Sequence, residues 1–293
     1  MAGHAETSRE AKATLYVVAT PIGNLKDVTL RALEVLREVD AIAAEDTRIT
    51  ARLLTHYGIA TRKVFALHEH NEQRTAPRVV EMLDSGRSIA LTTDAGTPAF
   101  SDPGARLVAA VRAAGHPVVP IPGPNAAATA LSASGLSGPQ FLFHGFLPSK
   151  QGERHRVLDE LRSFPYTLVF YEAPHRVAET VGELAAVLGA SRRIVIAREL
   201  TKVFETIHVC GLGEAQAWLI ADAGRTKGEF VLIVEGTEMR PDADADRVRR
   251  TLAVLLEELP VKQAATLAAK ITGVRKNELY DIALEEKRQR TER

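Results

Sequence analysis

The chain has 293 residues, of which 45% are hydrophobic and 25% charged, a composition typical of globular proteins and a length sufficient for two domains. Lysine plus arginine and aspartate plus glutamate both number 37, which excludes a uniform attraction of the whole protein to nucleic acid or membrane. The single cysteine, Cys210, excludes an internal disulfide and a cysteine-rich metal site, and it favours a reducing compartment.

The N-terminal residues are polar and lack the apolar segment of a signal peptide. We therefore predict a flexible tail over residues 1–13. No run of about 18 apolar residues occurs anywhere, so no membrane span is predicted and a cytoplasmic protein is expected.

From residue 14 to residue 121, short apolar runs alternate with stretches whose apolar residues recur at helical spacing. Uninterrupted apolar runs of this length are typical of strands that are buried on both faces. The pattern predicts an N-terminal α/β domain over residues 14–121, with a parallel sheet covered by helices. The predicted strands are Leu15–Ala19, Ala41–Ala44, Val64–Leu67, Ser88–Thr92 and Val118–Ile121.

A loop rich in glycine and proline, Thr93–Gly104, joins the fourth of these strands to a predicted helix over residues 105–114. Asp102 and Pro103 are predicted to open that helix as N-cap and first-turn proline. Loops at the carboxyl ends of strands in an open α/β sheet are where ligands bind. The two carboxylates of the loop favour a cationic or hydroxyl-bearing ligand over a phosphate, although an ordinary strand-to-helix turn would have the same spacing.

Pro122-Gly123-Pro124 is predicted to be a hinge, after which small residues beginning at Asn125-Ala126 form a helix suited to close packing. The second half has fewer crossover helices, so a second α/β domain with a mixed sheet is predicted over residues 122–238. Residues 239–293 are predicted to be a linker, acidic over 241–246, followed by a small helical extension that includes a helix-turn-helix unit.

Several common motifs are absent or incomplete. The chain has no GxxxxGK[ST] phosphate loop, and a Rossmann-like fingerprint beginning at Gly211 has Gln216 in its third glycine position. His68 and His70 have no evident third ligand, so no metal site is predicted.

Seven motifs occur in an order that resembles the tetrapyrrole-methylase superfamily, and within it the branch that methylates ribosomal RNA. The resemblance implies two α/β domains with S-adenosylmethionine bound in the cleft between them, and a homodimer. It also implies that the substrate is the ribose 2′-hydroxyl of a cytidine in 16S rRNA of the 30S subunit. The motifs are Thr20–Leu25, Glu45–Arg48, Asp94–Gly104, Pro122–Pro124, Tyr171–Arg176, Ala197–Lys202 and Gly228–Phe230.

The same resemblance implies the residues of the site. Asp94 would attract positive charge or accept hydrogen bonds from a ribose diol, while the backbone amides that follow it would bind the rest of the donor. The residues expected to bind S-adenosylmethionine are Pro21, Asp94, Ala95, Gly96, Thr97, Ser101, Ala126, Tyr171, Ala197, Gly228 and Glu229.

A ribose hydroxyl is a poor nucleophile at neutral pH, so a general base would help. The candidates are Glu45, Asp46, Glu199 and, if it were desolvated and neutral, Lys202; Glu199 and Lys202 could instead simply bind substrate or each other. The residues expected to contact RNA are Arg48, His70, Lys150, Arg176 and Arg198, with Lys150 on a loop expected to be flexible.

Two other functions are compatible with parts of this pattern. The first is a methyltransferase of a tetrapyrrole precursor, which keeps the fold and changes the acceptor. The second is a non-catalytic RNA-binding module in which the C-terminal helices bind RNA, although the intact Asp94, Gly96 and Pro98 argue against a disused cleft.

Overall fold

The computed structural model describes residues 13–60, 63–136, 140–237 and 242–291. The predicted tail lies outside the described residues, apart from Ala13, which is buried. The described residues form two compact units, one ending at Gly236 and the other beginning at Thr237. Both sheets belong to the first unit.

The first sheet consists of five parallel strands in the order β3-β2-β4-β1-β5, as the alternation of apolar runs and helical patterns predicts. Every residue of the central strands β2 and β4 is buried, because helices cover both faces of a parallel sheet. The strands are β1 (Leu15–Val18), β2 (Ala41–Ala44), β3 (Lys63–Ala66), β4 (Ile89–Thr92) and β5 (Val118–Ile121), and the helices are α1 (Leu30–Glu38), α2 (Thr47–His56), α3 (Glu72–Asp84) and α4 (Ala105–Ala113).

The second sheet is mixed, as predicted, with the order β6-β7-β10-β8-β9. Only the pair β6 and β7 is parallel, and the remaining neighbours are antiparallel. The strands are β6 (Phe141–Phe146), β7 (Thr167–Glu172), β8 (Arg193–Arg198), β9 (Thr206–Gly211) and β10 (Phe230–Val234), and the helices of this half are α5 (Ala126–Ser134), α6 (Gln151–Leu161), α7 (Val177–Leu188) and α8 (Leu212–Ile220).

Helix α5 lies against one face of the second sheet, and its buried alanines, Ala127 and Ala130, allow this close approach. Ile22, from the loop after β1, and Phe100, from the loop after β4, belong to the same apolar cluster. The cluster therefore joins the edge of the first sheet, where the loops leave its strands, to the second sheet.

The C-terminal unit contains three helices, α9 (Asp242–Glu258), α10 (Val261–Thr272) and α11 (Lys276–Thr291). The interpretation of residues 242–246 as part of a linker is wrong, because α9 begins at Asp242. Leu252, Ala268 and Leu279, one from each helix, are fully buried in a small core. Among the described residues, no helix has the length and apolarity needed to cross a membrane.

Candidate active site

The loops that follow β1 and β4 are joined by backbone hydrogen bonds. The N–H of Thr20 donates to the carbonyl of Gly96 at 2.8 Å, and the N–H of Gly96 donates to the carbonyl of Thr20 at 3.0 Å. Gly96 has a φ of 90°, a region that residues with a side chain rarely adopt. The chain therefore needs glycine at the point where these two loops meet.

The amino end of α4 differs from the prediction. The N-cap residue is Gly104, not Asp102, and its φ of 131° is tolerated because it has no side chain. The capping acceptor comes from α3: Oε1 of the buried Glu72 accepts the N–H groups of Gly104, Arg106 and Leu107 at 3.0, 2.9 and 3.0 Å. The carboxylate of Asp102 is therefore not used to cap this helix.

A cavity of about 390 Å³ lies between the carboxyl edge of the first sheet and the second sheet. Its volume is within the range of small-molecule sites. Eight of the residues predicted to bind the methyl donor line it: Ala95, Gly96, Thr97, Ser101, Ala126, Tyr171, Ala197 and Glu229.

The other three residues predicted to bind the donor lie beside this cavity. Pro21 and Asp94 line a neighbouring cavity of about 370 Å³. Gly228 directly precedes Glu229 and lines neither cavity.

One wall of the main cavity is aromatic. The rings of Phe100 and Phe143 stack at 4.2 Å between centroids, and Tyr171 meets Phe143 and Phe146 edge to face at 4.9 and 5.7 Å. The Tyr171 hydroxyl accepts the N–H of Ala127 at 3.2 Å. Burial raises the pKa of Tyr171 to about 12, so the phenol stays protonated and its O–H can donate to a ligand.

Carboxylates gather at the carboxyl edge of the first sheet. Oε2 of Glu45 accepts the N–H of Asp94 at 3.1 Å, and Oδ1 of Asp94 accepts the N–H of Asp46 at 2.9 Å. Burial raises the pKa of both Glu45 and Asp94, and neighbouring carboxylates raise each pKa further. Burial and the charges of Glu45 and Asp94 raise the pKa of Asp102 to about 7.

Asp46 is in a different environment from its neighbours. It caps α2 by accepting the N–H of Arg48 at 2.8 Å, and both of its oxygens accept bonds from the Arg48 guanidinium. These bonds lower the pKa of Asp46 to about 2, which makes it a weak base at neutral pH.

Glu199, Lys202 and Glu229 form a second charged cluster, beside the main cavity. Nζ of Lys202 lies 2.9 Å from Oε1 of Glu199 and 2.8 Å from Oε2 of Glu229. Burial lowers the pKa of Lys202, but the two carboxylates outweigh burial and raise that pKa overall. Lys202 is therefore a cation in the free protein, which contradicts its proposed role as a neutral base.

The residues predicted to contact RNA divide into two groups. Arg48, His70 and Lys150 have exposed side chains, and a carboxylate oxygen lies 2.5, 3.3 and 3.2 Å from their respective nitrogens. Arg176 and Arg198 instead support the fold.

Arg176 is 13% exposed, donates to Glu172 at 2.5 Å and to the carbonyl of Leu147 at 2.9 Å, and so does not present a free cation to RNA. Arg198 donates to the carbonyls of Lys227 and Phe204 at 2.6 and 3.1 Å. The loop before α6, which is predicted to be flexible, has three of its carbonyls bonded in the structure: Arg176 donates to that of Leu147, and the buried Arg154 donates to those of Pro148 and Ser149.

Asp102 has two expected roles, as a helix cap and as one of the two loop carboxylates that favour a ligand, and its place in the wall of the cavity agrees with the second. Leu200 also lines the cavity, but nothing in its local pattern distinguishes it from an ordinary apolar residue.

The close packing beside Glu199 leads to a prediction about Gly228. This glycine has a φ of 95°, and a Cβ added to it would lie 2.5 Å from Cδ of Glu199. We expect Gly228→Ala to lower the free energy of unfolding by about 2–4 kcal/mol, through backbone strain together with overpacking. Urea unfolding at pH 7 measures the loss.

Gly189 provides the matched control for that prediction. Its φ is 107°, but no atom lies within 4 Å of an added Cβ, so Gly189→Ala introduces the strain without the crowding. Equal losses in the two variants would show that the contact with Glu199 contributes nothing.

Comparisons with known proteins agree with this geometry. The family model for tetrapyrrole (corrin/porphyrin) methylases matches residues 14–216, and the model of the RsmI C-terminal HTH domain matches residues 242–287. The chain is 53% identical over 282 residues to ribosomal RNA small subunit methyltransferase I of Escherichia coli O157:H7, covering 96% of this chain and 98% of that protein. It is 52% identical over 272 residues to the protein of the same name from Vibrio cholerae serotype O1, covering 92% and 94%.

Solved structures show the same fold at low sequence identity. The methyltransferase CobJ aligns with a TM-score of 0.58 and 21% identity, over 78% of this chain and 96% of that chain. Uroporphyrin-III-C-methyltransferase from Thermus thermophilus aligns with a TM-score of 0.53 and 18% identity, over 76% of this chain and 94% of that chain. These likenesses support the fold alone.

Proposed function

The chain belongs to the tetrapyrrole methylase family and to the ribosomal RNA small subunit methyltransferase I group within it, and we propose that it methylates the ribose 2′-hydroxyl of a cytidine in 16S rRNA. The observation that carries the proposal is the sequence identity of 53% and 52% to two curated relatives with that name, over nearly their whole length. The match extends to the C-terminal helices, since residues 242–287 match the model of the RsmI C-terminal HTH domain. An rRNA acceptor is therefore favoured over a tetrapyrrole.

We propose S-adenosylmethionine as the methyl donor and the main cavity as its site. When bound, this molecule supplies an electrophilic methyl group on a positively charged sulfur. The aromatic wall of Phe146 and Tyr171 suits the flat adenine. In the turn over residues 95–97 the Gly96 N–H is bonded to Thr20, so the backbone N–H groups of Ala95 and Thr97 are the ones that would serve a carboxylate or a ring edge. Asp94, which lines the neighbouring cavity, suits a cation.

The residues around the cavity would accelerate the reaction mainly by position. Hydrogen bonds fix the loop over residues 93–104 at both ends, with Thr20 holding Gly96 and Glu72 holding Gly104. A rigid loop can hold donor and acceptor in line, which reduces the entropy lost on reaching the transition state.

The RNA surface that we propose includes Arg48, His70 and Lys150, since all three side chains are exposed. Phosphate contacts release counterions, so Lys150→Ala should reduce the slope of log affinity against log salt by about 0.7 for a single-stranded region. Filter binding of 16S rRNA across a salt series measures this slope. Lys63, exposed on the edge strand β3, is the control, and an equal slope in both variants would contradict the role of Lys150.

The reaction can be tested with purified protein, S-adenosylmethionine carrying a tritiated methyl group, and 30S subunits that lack the modification. Free 16S rRNA is assayed in parallel. We expect label in an alkali-resistant 2′-O-methyl dinucleotide. Binding of S-adenosylmethionine without transfer to either RNA would overturn the proposed acceptor.

We further propose a cytoplasmic homodimer that acts on the 30S subunit. The assignment follows the family resemblance and the substrate named for the relatives. Sedimentation equilibrium of the purified protein tests the dimer, and a monomer at micromolar concentration would contradict it.

A further inference from the structure

Asp102 lies in the wall of the main cavity, and its side chain does not cap the helix that follows it. Only two residues separate it from α4, yet Glu72 provides the cap for that helix. The side chain is partly buried and lines the cavity beside Ser101, whose φ of 64° places it in the left-handed region. A strained backbone of this kind is often found where a side chain must be aimed at a site.

The hydrogen bonding of Asp102 differs from that of the neighbouring carboxylates. Glu45 and Asp94 each accept a backbone N–H, which fixes their orientation and stabilises their charged forms. Among the residues that the structure describes, no hydrogen-bond donor reaches the carboxylate of Asp102. Its oxygens are therefore available to a molecule in the cavity.

The groups around Asp102 disfavour its charge. Glu45 follows β2, Asp94 lies in the loop after β4, and both are close enough to raise the pKa of Asp102, after burial, to about 7. Tyr171, on β7, is the remaining titratable group coupled to it, and its phenol is neutral at physiological pH. A carboxylate with a pKa near the working pH both accepts and releases a proton readily.

The other acidic residues of the cavity are paired with cations. Glu172 holds Arg176 at 2.5 Å, and Glu229 holds Lys202 at 2.8 Å. Asp102 is thus the carboxylate of this cavity that has neither a cation nor a hydrogen-bond donor among the described residues.

We propose that Asp102 is the general base that removes the proton from the acceptor hydroxyl. This assignment rests on the proposed function. The hydroxyl oxygen forms a bond to the methyl carbon while the bond from that carbon to sulfur breaks, and its electron pair stays on sulfur as a neutral thioether. The hydroxyl proton passes to a carboxylate oxygen of Asp102 and then to water, so the step needs no further reactant.

The test compares Asp102→Asn, Asp102→Glu and wild type in single-turnover methyl transfer to 30S subunits, from pH 5.5 to pH 9. The wild-type rate should rise with pH and level off above about 7. Asp102→Asn should be slower by about 10²- to 10⁴-fold and should lack this inflection. Asp102→Glu should keep the inflection and recover part of the rate.

Two measurements separate the chemical role from a structural one. The affinities of Asp102→Asn for S-adenosylmethionine and for RNA should stay within about threefold of wild type, because only the chemical step loses a group. Asp159→Asn, an exposed change on α6, controls for loss of one carboxylate and should leave rate and pH profile unchanged.

Thermal unfolding supplies a readout that does not depend on RNA. A carboxylate whose pKa is raised by folding destabilises the fold once it ionises, so the contribution of Asp102 to stability should fall as pH rises from about 4 to about 7. Relative to wild type, the unfolding temperature of Asp102→Asn should therefore increase across that interval.

Each outcome bears on the assignment. A rate for Asp102→Asn within threefold of wild type, a persistent inflection, or a constant difference in unfolding temperature would overturn Asp102 as the base while leaving the proposed function standing. No transfer by wild type to either RNA would overturn the proposed function, and the base assignment with it.

Discussion

Replacing Arg154 by leucine is expected to lower the free energy of unfolding by about 3–5 kcal/mol, the range for breaking a buried ion pair on one side. The Arg154 side chain is 2% exposed, and it donates to both oxygens of Glu183 and to Glu179 at 2.6 Å. It also donates to the carbonyls of Pro148 and Ser149 at 3.2 and 3.1 Å. The substitution leaves Glu183 buried without its cation and frees the loop that leads into α6.

Urea unfolding at pH 7 measures this loss, and Arg156→Leu on the exposed face of the same helix is the control. A loss no larger than that of Arg156→Leu would contradict the argument. The double variant Arg154→Leu with Glu183→Leu should recover part of the stability, because it removes the unpaired charge as well.

The pair of Arg154 and Glu183 also makes the free energy of unfolding depend on pH. The bonds from Arg154 hold the pKa of Glu183 below its ordinary value, and this lowering outweighs the opposite effect of burial. A carboxylate with a lowered pKa stabilises the fold above its unfolded pKa of about 4.3, and that contribution is lost as pH falls through the folded value. The difference between wild type and Arg154→Leu should therefore be largest at neutral pH and shrink in acid.

Replacing Glu72 by alanine is expected to lower the free energy of unfolding by about 2–4 kcal/mol. One oxygen of this buried carboxylate accepts three backbone N–H groups at the start of α4, where the helix dipole also favours negative charge. Alanine would leave these donors without an acceptor, and each buried donor without a partner costs about 1–3 kcal/mol before relaxation. Glu72→Gln keeps an oxygen acceptor and should lose less.

Hydrogen exchange shows which part of the protein is destabilised in Glu72→Ala. The amides of Arg106 and Leu107 should lose protection in Glu72→Ala, whereas Glu81→Ala, exposed on the same helix, should leave them protected. Unchanged protection in Glu72→Ala would contradict the role of Glu72 as the cap. Methyl transfer should also slow, because the loop that carries Asp102 ends at this helix.

The sheets were predictable because their signals are local. Four consecutive apolar residues in β2 and three in β4 indicate strands buried on both faces, and the scarcity of crossovers in the second half indicates antiparallel pairs. The loop over residues 93–104 was predictable as a site for a similar reason, since its glycines, prolines and carboxylates are adjacent in sequence.

The errors concern pairs that are distant in sequence or hidden by burial. Glu72 caps a helix that begins 33 residues later, and no local pattern indicates this, so Asp102 was the obvious cap. Arg154 lies among the polar residues 151–156 at the start of α6, where a buried arginine and an exposed one have the same sequence signature. The acidic stretch at residues 242–246 has the composition of a linker, but acidic residues are also favoured in the first turn of a helix.

The apolar cluster around α5 determines how the first compact unit unfolds. Ile22 and Phe100 from the first half pack with Val169 and Val231 from the second, so neither half can leave the other without exposing apolar surface. Expressed separately, each half would expose its side of this apolar cluster to water and aggregate. Covalently joined, they should melt in one calorimetric transition, so that the walls of the cavity are lost together and not in stages.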